Sequence, residues 1–449
     1  MSNMNKNEQF EVVIEDVGAN GEGICHIDGI TVFVPFAYYG EKCKIHILKV
    51  KGNIAFAKVI QIIDPSEHRV RAKCPYFQKC GGCTLQHIRR DSELETKKKH
   101  IETCMRKYAG VESIHISMVD SDLEYGYRNK CAFPVRTIDG KATVCMFKSN
   151  SHNAIRIEKC ELADELINKV LKVFNVWLER SAAVAFDELT NTGNIKFLVC
   201  RVLEKKALIT IVINSKKLAA VDLFVEMLEK EGIDFGLNLN INTQNNNVIL
   251  TSQFVHVAGF ETLQGEENSI LYPISSLSFM QVNDFIKTEI YNKTLSCIDS
   301  DSVVVDAYSG AGLMSAMIAT RAKKVYGIEI IEAATRNADE LARVNNIENL
   351  DNINGDCAVE LPKLVQNLKG QSVKIVLDPP RKGCDKRVLG AVVDACPSGI
   401  IYISCNPATL ARDSKIILDA GYIIQDVTGF NMFPQTSHVE TVVVFEKGK

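Results

Sequence analysis

No stretch of the 449-residue chain is long and apolar enough to span a bilayer, and the opening residues, MSNMNKNEQFEVVIED, hold no apolar signal region. A membrane or secreted protein is therefore not expected; a cytoplasmic one is. Excess charge is missing too: the formal net charge of -3 does not announce a nucleic-acid binder. Net charge can hide a local patch, and Arg89, Arg90, Lys97, Lys98, Lys99, Arg106 and Lys107 crowd into one segment. Asp91, Glu93, Glu95 and Glu102 share it, so the expectation there is a solvated helix face. There is no internal repeat and no low-complexity tract. A disulfide framework is also lacking, because the 15 cysteines are odd in number and scattered. They are expected to stay reduced, some of them as metal ligands or catalysts.

What is present is an ordinary globular composition, 46% hydrophobic and 24% charged, over a length that calls for two or three domains. From Phe10 to about Pro65, short alternating runs such as Thr31-Val32-Phe33-Val34-Pro35 are punctuated by Gly18, Gly21, Gly23, Gly29 and Gly40. A small closed or nearly closed β-barrel accounts for that pattern.

CPYFQKCGGCTLQH follows, with Cys74, Cys80 and Cys83 inside ten residues. Three thiols at this density can wrap one inorganic centre, with Gly81 and Gly82 letting the chain bend round it. Cys160, in RIEKCELADELI, is the candidate fourth ligand. Zinc is the rival metal, but structural zinc sites favour paired knuckles and only one such pair exists, so a 4Fe-4S cluster is expected.

From Tyr125 to Ser269 the pattern is mixed α+β: YRNKCAFPV and TVCMFK read as strands, FLVCRVL and ALITIVIN as a hairpin, Leu166–Arg180 and Leu218–Glu231 as helices. After the helical VNDFIKTEIYNKTLSCI comes the strand Val303-Val304-Val305-Asp306, the turn Ala307-Tyr308-Ser309-Gly310-Ala311-Gly312 and another helix. The next strand, KKVYGIEI, ends at Glu329, at the spacing where such folds put a carboxylate on ribose hydroxyls. SGAGLMS lacks the third glycine of the dinucleotide fingerprint, so S-adenosylmethionine fits better than NAD. Asp356, after a further short strand, could receive the adenine. The strand Val373–Leu377 then delivers Asp378 to a rigid Pro379-Pro380 turn at the same sheet edge.

The apolar run Gly399 to Ile403 is stopped by Ser404-Cys405-Asn406-Pro407, which places Cys405 at the C-terminal end of a strand. Ligands bind at that edge of open α/β sheets, so this thiol is a candidate nucleophile. VTGFNMFPQTSHVETVVVFEK supplies the closing strand, with His438 and Glu440 at its start.

Two resemblances emerge from these strings. GEGICHIDGITVFVP followed by GE resembles the TRAM domain, a small RNA-binding barrel of the oligonucleotide-binding type. CPYFQKCGGC with Cys160, YRNK, SFMQVN, DAYSGAG, IEI, DPPRKG, SCNPATLARD and FPQTSHVET resemble the RNA uracil-5-methyltransferase family, most closely its members with both barrel and iron-sulfur cluster. The resemblance implies a Rossmann-like class I methyltransferase domain over 270–449, a central α+β domain with the cluster over 67–269 and the TRAM-like barrel over 1–66. It implies S-adenosylmethionine-dependent methylation of carbon 5 of an unpaired or flipped uridine in 23S ribosomal RNA through a covalent cysteine-uracil intermediate, a monomer sufficing. Cys405 matches the family's nucleophile and Glu440 its general base. Gln281, Tyr308, Glu329 and Asp378 match cofactor-contacting positions, and Cys74, Cys80, Cys83 and Cys160 the cluster ligands. One departure is YSGAGLM where the family carries an FCGxGNF-like string, so one side-chain amide contact to the cofactor is expected to be missing. A transfer-RNA uridine is the alternative substrate, and a non-catalytic RNA-binding or nucleoside-sensing protein the alternative outside enzymes. A radical methylthiotransferase is disfavoured, since it expects C-x3-C-x2-C and a barrel at the other end of the chain.

Overall fold

The computed structural model describes residues 4–149, 151–368 and 370–448; residues 1–3 and 449, at the ends of the first and last expected units, and residues 150 and 369 lie outside. Strands β1 (Gln9–Val13), β2 (Asp16–Val17), β3 (Gly23–Ile27), β4 (Ile30–Val34), β5 (Lys42–Lys51) and β6 (Ile54–Asp64) form one curled sheet in the order β1-β5-β6-β4-β3-β2. Its alternation turns Ile30, Val32 and Val34 of β4 inward onto Cys25, Ile45, Ile47 and Ala55. Asp28 (φ 49°) and Gly29 (φ 80°) make the two-residue turn from β3 to β4, the left-handed pairing that matches strand twist.

Helix α1 (Arg90–Cys104) and strand β7 (Ser117–Val119) come next. The charge run had suggested a solvated face, but α1 buries Glu93 and Lys97 completely. Lys97 Nζ donates to Glu93 Oε1 (2.6 Å), Asn431 Oδ1 (2.5 Å) and the Phe433 carbonyl (3.1 Å). Two charges one helical turn apart can be buried when they pair and a distant loop completes their hydrogen bonds, and composition does not reveal that loop.

The central sheet comprises β8 (Lys130–Ile138), β9 (Lys141–Phe147), β10 (Ala154–Arg156), β11 (Ile195–Leu203), β12 (Lys206–Ile213), β13 (Phe235–Ile241) and β14 (Phe254–Gly259), ordered β10-β9-β8-β11-β12-β13-β14. Helices α2 (Glu165–Arg180) and α3 (Val221–Lys230) show the apolar periodicity of one-sided burial. Trp177 of α2 lies against Phe174 and Phe224, and its Nε1 donates to the Ala220 carbonyl (2.8 Å). A hairpin, β15 (Leu263–Glu267) and β16 (Ile270–Ile274), leads onward.

The last layer alternates helix and strand: α4 (Asp284–Ser296), β17 (Val303–Ala307), α5 (Leu313–Ala319), β18 (Lys324–Glu329), α6 (Glu332–Val344), β19 (Leu350–Asn354), α7 (Cys357–Asn367), β20 (Val373–Leu377), α8 (Lys386–Asp394), β21 (Gly399–Ser404), α9 (Pro407–Asp419), β22 (Tyr422–Phe430) and β23 (Glu440–Lys447). The sheet order is β19-β18-β17-β20-β21-β23-β22-β7, parallel from β19 to β21, with β23 antiparallel to both neighbours. Such near-continuous apolar strands need cover on both faces. Val303, Val305 and Ala307 share a core with α7, α8 and α9; Val304 shares the opposite one with α4, α5 and α6. The closing strand expected to begin near Glu440 is β23, which forms a hairpin with β22, and β7, from much earlier in the chain, completes the edge beside β22. No described helix is long and apolar enough to cross a membrane.

Candidate active site

Cys405 stands at the C-terminal end of β21, as its sequence context required. Asn406 caps α9, its Oδ1 accepting from Ala408 N (3.1 Å), while its Nδ2 donates to the Arg381 carbonyl (3.2 Å). Thr409 Oγ1 donates to the same carbonyl (3.3 Å). Buried Asp413 on α9 completes the clamp, accepting from Cys384 N (2.8 Å) and the Tyr402 hydroxyl (2.6 Å). The Asp-Pro-Pro-Arg turn after β20 is thereby tied to the cysteine turn after β21.

Four side chains converge there: Cys405, Glu440, Asp378 and Arg381. Burial pushes the Cys405 thiol up, Glu440 adds to the shift, and the Arg381 guanidinium opposes it by charge and by hydrogen bond. Glu440 is buried, and burial first, then the Asp378 charge, push its carboxyl up to about 8, against the pull of Arg381. Asp378 keeps exposed surface, yet the protein packed round its carboxyl removes enough water to raise it to about 6. Arg381 joins this corner, although the sequence alone assigns it no role. Its signal was there, a cation directly after the Asp-Pro-Pro turn, but nothing local says that this turn abuts the thiol.

The glycine turn lies along the same edge. Tyr308 N and Ser309 N both donate to the Ile328 carbonyl (3.0 Å each), and Tyr308 itself holds a left-handed backbone (φ 74°). Gly312 has φ 83°, and a Cβ there would stand 2.6 Å from that of Ala338. Glu329 locks the turn by accepting from Gly310 N (3.0 Å) and Ile331 N (2.8 Å). Beneath it, Asp306, also missed by the sequence reasoning, is buried and accepts from Ser315 Oγ (2.5 Å). Desolvation, with the Asp378 and Glu329 charges adding, lifts Asp306 to about 7 despite that hydrogen bond. This acidic cradle suits a cationic ligand and would repel a pyrophosphate.

Asp356 caps α7, accepting from Ala358 N (2.9 Å), beside Arg387 (3.7 Å). It is drawn toward the cradle because Gly355 N donates to the Glu329 carbonyl (2.9 Å). Gln281 is half-buried ahead of α4, its carbonyl accepting from Asn129 Nδ2 (3.0 Å) of the central layer. Tyr308 neighbours Cys357 and Cys384, and burial raises its hydroxyl.

The expected cluster site is less closed. Among the described residues, no three or more of His, Cys, Asp and Glu gather in a way that would hold one metal ion. Cys74, Cys80, Cys83 and Cys160 nevertheless share one electrostatic neighbourhood. Burial raises the Cys83 thiol to about 12, with Cys160, Cys80 and Cys74 each adding to the shift. Gly82 N donates to Cys80 Sγ (3.4 Å), and a Cβ on Gly81 would meet the Ser149 backbone at 3.0 Å. Four cysteines are a donor set that can hold an iron-sulfur cluster, and also one that can hold zinc.

Residues 89–448 match the family model described as tRNA (Uracil-5-)-methyltransferase, and residues 5–60 match that of the TRAM domain. A protein named as an RNA methyltransferase from Clostridium acetobutylicum is 36% identical over 451 residues, covering 98% of both chains. Another, from Caldanaerobacter subterraneus subsp. tengcongensis, is 34% identical over 455 residues and covers 100% of both. Among solved structures, Pyrococcus abyssi tRNA (uracil-54, C5)-methyltransferase in complex with S-adenosyl-L-homocysteine aligns at TM-score 0.77, covering 97% of this chain and 100% of that one at 22% identity. At that identity the likeness is one of fold.

Proposed function

The chain belongs to the tRNA (Uracil-5-)-methyltransferase family, and from that premise we propose that it methylates carbon 5 of an RNA uridine through a covalent bond between Cys405 and carbon 6 of the base. The observation that carries this reading is the meeting of Cys405, Glu440 and Arg381 at the C-terminal edge of the sheet. Carbon 5 of uracil is a poor nucleophile. Addition of the Cys405 thiolate to carbon 6 makes an enolate and moves electron density onto carbon 5. S-adenosylmethionine, when bound, would supply an electrophilic methyl group on a sulfonium, its carbon-sulfur bond breaking to leave S-adenosylhomocysteine as carbon 5 takes the methyl. Gln281, Tyr308, Glu329, Asp356 and Asp378 would hold it, the acidic cradle balancing its positive charge.

Glu440 then removes the hydrogen left on carbon 5, the double bond re-forms, and the bond from sulfur to carbon 6 breaks to release the thiolate. Burial and the Asp378 charge raise Glu440 to about 8, so the carboxylate form that acts as the base grows as pH rises toward that value. Arg381 favours the thiolate at the outset. Neither group reaches a stacked, paired base, so the uridine must be unpaired or flipped out.

The units divide the work: residues 1–66 and 67–269 seat the RNA and 270–449 perform the transfer. Cys74, Cys80, Cys83 and Cys160 would hold a 4Fe-4S cluster that ties the cysteine loop to the central sheet. One chain supplies every group named, so a monomer suffices. The barrel combined with the cysteine quartet supports 23S ribosomal RNA as substrate. Transfer RNA is the second reading, favoured by the matching family model, which is described as tRNA (Uracil-5-)-methyltransferase. The test is nucleoside mass spectrometry of ribosomal and transfer RNA from cells with and without the gene, and with Cys405→Ala. Loss of 5-methyluridine from large-subunit RNA in both altered strains fits the first substrate, and loss from transfer RNA the second. Full methylation by Cys405→Ala overturns the mechanism.

A further inference from the structure

The loop that leads into Glu440 carries a residue with no part in the chemistry above. Gln435 sits in the left-handed region (φ 69°), a costly conformation for a glutamine. Its backbone is held there from two directions. The amide N donates to both Glu93 oxygens (3.0 and 3.1 Å), and the carbonyl accepts from Thr84 N (3.2 Å) and Leu85 N (3.0 Å). Its side chain is not used in this way. Gln435 is 3% exposed, and its Oε1 accepts no hydrogen bond among the described residues. An unpartnered buried carbonyl oxygen on a strained backbone costs stability twice, and Gln435 lines a cleft of about 750 Å³.

That cleft is a separate place from the thiol: Cys405, Glu440, Asp378 and Arg381 do not line it. Its cations are Arg71, Lys73, Arg89 and Arg90. Arg90 is bound to Asp120, but its Nη1 is buried without a partner among the described residues. The acids on the rim are Asp91, which Arg89 neutralises (2.6 Å), and Glu124. Tyr125 adds an aromatic wall with Lys73 Nζ 4.6 Å from its ring centre. Lys73 pairs with Glu161 (3.9 Å), which leaves Arg71 as the cation with no ion pair among the described residues. A buried acceptor, a buried donor, an aromatic wall and that unpaired cation together suit one kind of ligand, a nucleotide.

We propose that this cleft binds a second unpaired nucleotide of the RNA substrate, with the Gln435 amide and Arg90 reading its base edge and Arg71, Lys73 and Arg89 facing its phosphate. The proposal rests on the reading of the chain as an RNA methyltransferase and adds a specificity site to it. Gln435 is five residues before Glu440, so the nucleotide read here and the uridine modified there are registered by one loop.

The test uses the full-length protein and short single-stranded RNA oligonucleotides with one uridine and each of the four bases in turn at every flanking position, read by equilibrium binding. Wild type should favour one base at one flanking position by on the order of tenfold. Gln435→Asn, whose shorter amide tolerates the left-handed backbone, should lose that preference while its affinity for S-adenosylhomocysteine is unchanged. Arg71→Gln should weaken all oligonucleotides alike and lower the slope of log affinity against log salt by about 1. No preference in wild type, or a preference kept within about twofold by Gln435→Asn, overturns the proposal, as does an unchanged salt slope in Arg71→Gln. Methylation of the uridine without these effects leaves the enzyme reading standing and removes only this site. The expected binding effects with no methylation of any RNA would do the reverse.

Discussion

Glu440 lies beside Cys405: β21 and β23 pair up to Ser404 opposite Thr441, the residues adjoining that last pair are Cys405 and Glu440, and the Glu440 charge adds to the rise of the thiol. Because Glu440 is held up to about 8, the step it serves should accelerate as pH rises through that value. Glu440→Gln should flatten this limb of the profile and accumulate a covalent protein-RNA adduct, visible as a retarded band on a denaturing gel; a variant that turns over normally with no such band removes Glu440 as the base. The linkage has a definite sign: a carboxyl whose folded value is raised contributes stability that is whole below the ordinary glutamate range and lost as pH rises through about 8. Thermal melting of wild type should therefore decline across that window more steeply than that of Glu440→Gln.

Arg381 is the cation that opposes the rise of the Cys405 thiol. Arg381→Gln should move the alkylation rate of Cys405 by iodoacetamide to higher pH, and an upward shift of one unit would cut the thiolate fraction at neutral pH by about tenfold. Methyl transfer should follow the same displacement. A lowered rate with an unmoved pH profile would mean that Arg381 only shapes the turn.

Gly312 combines a left-handed backbone with a neighbour too close for any side chain. Gly312→Ala should distort the turn at a cost of about 1–3 kcal/mol. Calorimetric titration should show S-adenosylhomocysteine binding weakened by roughly tenfold or more, while RNA affinity in the absence of cofactor stays near that of wild type.

The buried pair Lys97 and Glu93 underpins the 431–435 loop. Lys97→Met leaves a buried carboxylate without its counter-charge, with an expected loss of about 3–5 kcal/mol. Adding Glu93→Gln, which can still accept from Gln435 N, should recover most of that loss. Melting curves of the single and double variants decide it: equal destabilisation in both would show that packing, not charge, is at stake.

The cysteine quartet predicts bound iron and acid-labile sulfide after anaerobic purification. Cys83→Ser should remove both, together with the visible absorption of the cluster, whereas Cys25→Ser, in the barrel core, should keep them. Zinc in place of iron would convert the site to the rival metal.

Much of this molecule could be read locally. Apolar runs bounded by turn residues marked β17, β20 and β21 to within a residue or so, and the barrel announced itself by alternation and glycine. Cys405, Asp378, Glu329 and the glycine turn were placed on one sheet edge because that edge follows from strand direction alone. Those features are periodic or end-defining, and a chain's own covalent order carries them.

Tertiary structure decided the rest. It placed Arg381 beside a thiol 24 positions later in the numbering, sank Lys97 into a socket built by residues 431 and 433, and set β7 at the edge of a sheet whose other strands lie far along the chain. The acid strengths of Glu440, Asp306 and Asp378 depend on how much water packing removes and on which charges it leaves nearby. Those are properties of contacts between distant segments, and a strand's pattern shows which face is buried without showing what buries it.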